Sequence, residues 1–237
     1  PGVLTARQWG FYDVLFSHTN NDLALKPEDK RAFSFSRVYG TYVMENVLFK
    51  ISFPAEFHAQ TACEAAVTLH PQVRNRLHEI DKIVITTHES AIRLISKVGP
   101  LANAADRDHC IQYMTAVPLA FGNLVAEQYE DDFHAAHPII DVLREKMVIV
   151  EDPRFTREYL EADKRSIANA IQVFFKDGSS TENVVVEYPI GHRRRRAEGI
   201  ALLEDKFRTN LLTRFTAQRS EEIFCLLYTS DAADDGE

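Results

Sequence analysis

The spacing of apolar residues divides the chain into helix-like and strand-like stretches. Phe57, Thr61, Ala65 and Leu69 recur every four residues, the stripe of one helix face, and predict a helix over 57–70. Pro54 keeps its predecessor out of helical geometry and sets a turn before that helix. Lys82-Ile83-Val84-Ile85-Thr86-Thr87 is short and β-branched and predicts a strand, with His88 and Glu89 at its exit. The runs 168–176 and 183–188 flank Asp177-Gly178-Ser179-Ser180, a hairpin signal. Ile171, Val173 and Phe175 share one face of the first run, and Gln172, Phe174 and Lys176 the other.

Elsewhere the pattern is helical. Thr5 and Gln8 have capping-box spacing and predict a helix to about Phe16, followed by an exposed loop over 17–38. Asp106 or Asp108 can cap a helix through Tyr113 to Phe121, kinked at Pro118 and ended by Gly122. Pro138 opens another to about Lys146, and 198–215 returns to helical spacing. The sum is an α+β chain: a small antiparallel sheet with helices, flanked by helical segments.

Composition narrows the chemistry. In 237 residues, 45% hydrophobic and 26% charged, there is enough apolar material for a core, but no run of about 18 apolar residues that would span a membrane. A net charge of -8 argues against a general nucleic-acid binder, and Arg193-Arg194-Arg195-Arg196, beside Glu198 and Asp205, reads as a solvated face. Cys63, Cys110 and Cys225 are far apart and the chain has neither C-x-x-C nor H-E-x-x-H. That disfavours structural zinc and disulfides and leaves too few thiolates for an iron–sulfur cluster, so no metal or cofactor is expected.

The candidate site lies where a cation, a Pro turn and a helix start follow one another. Lys50 precedes the turn; Glu56, His58 and Gln60 fall in or beside the first helical turn, where free N–H groups and the dipole favour a bound carboxylate. His88 and Arg93 form a second pair, since arginine grips carboxylates bidentately. His109 stands one helical turn before Tyr113, and packing is an alternative for both. His18, His70, His78, His134 and His137 lack ligand spacing and take a structural reading.

The words Thr5–Tyr12, Tyr42–Lys50, Phe53–His58, Asp106–Tyr113 and Glu187–His192, in this order to about Phe224, resemble the MmgE/PrpD family. The resemblance implies a large helical domain, built from two separated parts of the chain, and an α+β lid between them. On that plan 1–46 is a helical-domain piece and exposed loop, 47–192 the lid and 193–224 the returning helical piece. The string Cys225–Asp235 matches a translated library adapter, so 225–237 is expected to be an artefact whose removal takes the charge from -8 to -4.

The implied activity is cofactor-free removal of water from a tricarboxylate, 2-methylcitrate giving 2-methyl-cis-aconitate in propionate catabolism. Alternatives are another family activity, such as cis-aconitate decarboxylation, and a non-catalytic truncated lid or binding module. For that activity the expected roles are catalytic for His58 and His88 and substrate-binding for Lys50, Gln60, Arg93 and Tyr113, of which the resemblance carries Lys50 and Tyr113. Lys50, His58, His88 and Arg93 should then line one open edge. It further implies a homodimer of the full-length parent, no nucleic-acid or membrane partner, and a mitochondrial matrix location in a eukaryote or a cytoplasmic one in a bacterium.

Overall fold

The computed structural model describes residues 47–234, with side chains to Leu226, together with Gly10, Phe11 and Val14. The chain divides into two compact units, Pro1–Asn46 and Val47–Glu237. In the first, Phe11 and Val14 are helical and the Val14 N–H donates to the Gly10 carbonyl at 3.0 Å. The Thr5–Gln8 cap, the rest of that helix and the 17–38 loop lie outside the described residues.

In the second unit the described residues form nine α-helices and four strands. A 3-10 turn, Phe57–Ala59, leads into α1 (Gln60–Val73). Then come β1 (Ile80–Thr87), α2 (Glu89–Ile95), α3 (Ala104–Asp108), α4 (Ile111–Phe121), α5 (Asp131–Ala136) and α6 (Ile139–Glu145). Next follow β2 (Met147–Glu151), α7 (Pro153–Leu160), β3 (Asn169–Phe175), β4 (Val184–Val186), α8 (Arg196–Leu212) and α9 (Ala217–Asp234).

The sheet order is β2-β1-β3-β4. The hairpin expected around Gly178 (φ +84°) is β3–β4, with Ile171 opposite Val184 and Asn169 opposite Val186. β1 runs antiparallel to β3, as expected of a small antiparallel sheet. β2 changes that picture: it lies parallel to β1, Ile83 opposite Met147 and Thr87 opposite Glu151, so the sheet is mixed. The helices α2 to α6 supply the long crossover that a parallel pair requires.

One sheet face is covered. Ile83, Ile85, Ile171, Val173 and Phe175 point into a core shared with α1 and α4. Ala59, Ala62, Ala65 and Ala66 are all buried, and these small residues let α1 approach α4 closely. The helix expected from Asp106 or Asp108 is two helices. Asn103, not an aspartate, caps α3 by accepting from the Asp106 N–H at 2.9 Å, and the chain breaks at His109–Cys110 before α4. Gly122 ends α4 at φ +80°, and a side chain there would come within 2.8 Å of the His70 ring. That ring donates from Nδ1 to the Leu119 carbonyl at 2.9 Å, a structural histidine.

The arginine run is a solvated face in its first half only: Arg193 and Arg194 are exposed, whereas Arg195 and Arg196 are half-buried. Arg195 pairs with Glu64 through two 2.9 Å bonds, Arg194 lies over the Tyr188 ring, and Arg193 donates to the Asp163 carbonyl. Arg196 lies over Phe49 and donates to the Val47 carbonyl at 2.7 Å. All four side chains have partners distant in sequence, so even the exposed pair is held to the surface.

Candidate active site

The Pro54 turn is clamped from behind. Gln60 is buried and its Nε2 donates to the carbonyls of Phe53 (2.9 Å) and Ala55 (2.8 Å), which fixes the turn before α1. Glu56 caps the 3-10 turn by accepting the His58 N–H at 2.8 Å, and the same carboxylate holds His58 Nδ1 at 2.8 Å. An ionised carboxylate only accepts, so Nδ1 carries the proton and Nε2 presents its lone pair to the Tyr159 hydroxyl, 3.3 Å away. Burial pushes the Glu56 pKa up, but the hydrogen bonds and charge of His58 outweigh it and leave the pKa lowered.

His88 completes the group. It follows β1 at the start of α2 and is buried, its ring 5.2 Å from that of His58 and stacked on Tyr159 at 4.8 Å. Burial first, and then repulsion from His58, brings its pKa down to about 4, so it is neutral near pH 7. The Ala168 carbonyl beside the ring offsets part of that lowering, yet Nε2 is buried without a well-formed hydrogen bond, as are Asn169 Oδ1 and Ser166 Oγ. Asn169 opens β3 and donates to the His58 carbonyl at 2.8 Å and to Thr61 Oγ1 at 2.7 Å. Native interiors pair nearly all such groups, so an unpaired His88 nitrogen beside a half-buried His58 marks a place where a polar ligand atom would be welcome.

Topology explains the convergence. The C-terminal ends of β1 and β2 are joined where the Asp152 N–H donates to the Thr87 carbonyl at 2.9 Å. α2 and α7 leave from these two ends, and the Glu89 N–H donates to Thr156 Oγ1 at 2.9 Å, tying them together. Tyr159 rides on α7. The carboxyl ends of parallel strands are where open α/β sheets form ligand crevices.

The structure brings together His58 and His88 and places Gln60 behind them as a clamp. Lys50 is exposed, its Nζ 5.4 Å from the centre of the Phe57 ring, beside the same turn but without a hydrogen bond to His58. Arg93 is exposed on α2 and makes no ion pair with a described residue, so the four do not form one contiguous set. Tyr113 is in the core, where its hydroxyl donates to the Gln128 carbonyl at 2.6 Å and burial pushes its pKa up to about 12. Its packing alternative is the geometry observed. His109 is exposed beside Asp108. Tyr159 and Asn169 were not read from the sequence; the Asp152-Pro153 helix start was the one available signal for α7.

A cavity of about 520 Å³ lies elsewhere, at the opposite end of β2, between Lys97–Pro100, Gln112, Arg144 and Met147. Among the described residues no group of three or more His, Cys, Asp or Glu side chains is placed to hold a metal ion, and no helix is long and apolar enough to cross a membrane.

A mixed sheet backed by α1 and α4, which lie side by side with Cys63 against Met114 and His70 against Leu119, carries a carboxylate-held histidine at a Pro turn and defines an α+β domain. Residues 53–228 match the MmgE/PrpD C-terminal domain, and the chain belongs to that family. Its relatives include the 2-methylcitrate dehydratases of Cupriavidus necator (55% identical over 226 residues, 94% of this chain and 44% of that protein) and Escherichia coli strain K12 (54%, with the same coverage). The mitochondrial 2-methylcitrate dehydratase of Yarrowia lipolytica is 53% identical over 94% of this chain and 41% of its own length. The chain thus spans less than half the length of these curated relatives.

Proposed function

We propose that this chain forms one wall of a hydro-lyase that removes water from 2-methylcitrate to give 2-methyl-cis-aconitate. The identity to dehydratases supports the reaction class, and the Glu56–His58 pair is the observation that carries the chemistry. Dehydration breaks a C–H bond next to a carboxylate and a C–O bond on the neighbouring carbon. His58 Nε2 takes the proton, with Glu56 stabilising the resulting imidazolium from Nδ1. The hydroxyl leaves as water once it has received a proton, and Tyr159 stands where it can supply one. His88, neutral and unpaired at Nε2, hydrogen-bonds the substrate without adding charge. Lys50, beside the same turn, and Arg93, exposed on α2, are the cations assigned to a tricarboxylate whose negative charge grows as the proton leaves.

A site with one wall lacks the orientation and water exclusion that this reaction needs, so the 237-residue chain alone should be inactive. The domain plan follows the same reading, with 47–192 as the lid and 193–224 returning to a helical partner. The test is an ultraviolet assay of the full-length protein with 2-methylcitrate, citrate and cis-aconitate. Unsaturated acid should form from the first. Its absence, or faster turnover of cis-aconitate with release of carbon dioxide, would replace this reading by the decarboxylase one.

A further inference from the structure

Every polar atom of His58 is held by another residue. Glu56 takes the N–H and Nδ1, each at 2.8 Å, and the Tyr159 hydroxyl lies 3.3 Å from Nε2. The backbone carbonyl accepts from Asn169 Nδ2 at 2.8 Å, and Asn169 is wholly buried at the first position of β3. The orientation of its amide is fixed. The second Nδ2 hydrogen goes to Thr61 Oγ1 at 2.7 Å, while the Thr61 hydroxyl donates its own hydrogen to the Ile167 carbonyl. With Oδ1 in place of Nδ2, two carbonyl oxygens would meet with no proton between them.

These bonds tie the first turn of α1, where Thr61 stands, to the lead-in of β3. The Ala168 carbonyl in the same lead-in lies beside the His88 ring, so one short segment meets both histidines. Packing alone does not require an asparagine at this position. Strands favour β-branched and aromatic residues, and Asn169 Oδ1 is buried with no partner among the described residues. What distinguishes Asn169 from an apolar residue of its size is the pair of hydrogens it gives to His58 and Thr61. Proton transfer needs a base aimed to within a fraction of an ångström, and a hold on the main chain beneath the ring supplies that aim. We propose that Asn169 is a positioning residue, which holds the His58 carbonyl so that Nε2 stays aimed at the proton it removes, with Thr61 orienting the Asn169 amide. The proposal rests on His58 as the base assigned above.

The test is steady-state kinetics of the full-length protein with 2-methylcitrate. Asn169→Leu, branched alike at Cγ but with no hydrogens to donate, should lower kcat by about 10- to 100-fold and leave KM within about twofold. In a His58→Ala background the same substitution should lower kcat by less than about twofold, because its effect passes through a ring that is no longer there. Thr61→Val should also lower kcat, and Thr61→Ser, which keeps the hydroxyl, should recover most of that loss. A small effect of His58→Ala itself sinks the base assignment and this proposal together. If His58→Ala is severely impaired, three results overturn the positioning role alone: Asn169→Leu at wild-type kcat, an equal loss in both backgrounds, or a change confined to KM. Should Asn169→Leu not fold, the Thr61 pair decides, and equal kcat for the valine and serine variants overturns the proposal.

Discussion

Two clusters in this domain use nearly the same residue types to opposite ends. Around His58 stand a carboxylate, a tyrosine and a second histidine, and the group ends in an unpaired, buried His88 Nε2. Around Tyr113 stand Tyr129, His134, Asp141 and Arg107. There the Tyr113 hydroxyl is taken by Gln128, His134 Nε2 lies 3.0 Å from Asp141, and Arg107 donates to the Tyr129 carbonyl at 2.6 Å and to Asp131. The Tyr129 hydroxyl is unpaired, its ring stacked on that of Tyr113 with centroids 5.9 Å apart. Both clusters leave one buried polar atom unpaired, and they differ in which atom it is: a histidine nitrogen at the site proposed as reactive, the hydroxyl of a stacked phenol in the structural one.

The comparison can be broken most sharply at His58. In the full-length protein His58→Ala should lower kcat/KM by about 10²- to 10⁴-fold, the usual contribution of a positioned proton-transfer group, with an unchanged Tm. A smaller loss would move the base elsewhere. In the second cluster Arg107, 2% exposed, should act through stability instead: Arg107→Met should cost roughly 3 kcal/mol in urea unfolding, since it strands the Tyr129 carbonyl.

A pH titration separates the clusters next. His88 stays neutral in the folded protein down to about pH 4, whereas the unfolded chain takes up a proton near pH 6.5. Stability should therefore be flat above that value and fall as pH drops from 6.5 to 4, by up to about 1.4 kcal/mol per pH unit. His88→Gln should flatten the curve across this window. Tyr113→Phe should cost about 1 kcal/mol by thermal unfolding and leave kcat within twofold; a large fall in kcat would return Tyr113 to the substrate. The smallest effect belongs to Arg93→Gln, exposed and without an ion pair to a described residue. It should leave stability within about 0.5 kcal/mol, while KM rises if the side chain grips a carboxylate.

Local periodicity made α1, β1 and the Gly178 hairpin legible, because each shows its pattern within a dozen residues. β2 was not, since Met147–Glu151 follows α6 after a single residue and its partner in the sheet lies more than sixty residues earlier. The site shows the same limit. His58 and His88 are visible from a Pro turn and a strand exit, which are local features. Tyr159 reaches them only because β2 pairs parallel with β1 and aims α7 back across the sheet end, and Asn169 only because β3 starts beside α1. Tyr113 stood in a recognisable word, but no word records where a hydroxyl proton goes.

Gly191 has φ +100°, a left-handed conformation, and a side chain on it would fall on the Phe49 carbonyl oxygen; its own carbonyl accepts the Phe49 N–H at 3.4 Å. The segments bounding 49–191 thus lie side by side, crossing at a point too tight for any residue but glycine. They are knotted at that one spot like a drawstring, and any change at Gly191 would slacken the string before it disturbed what it encloses.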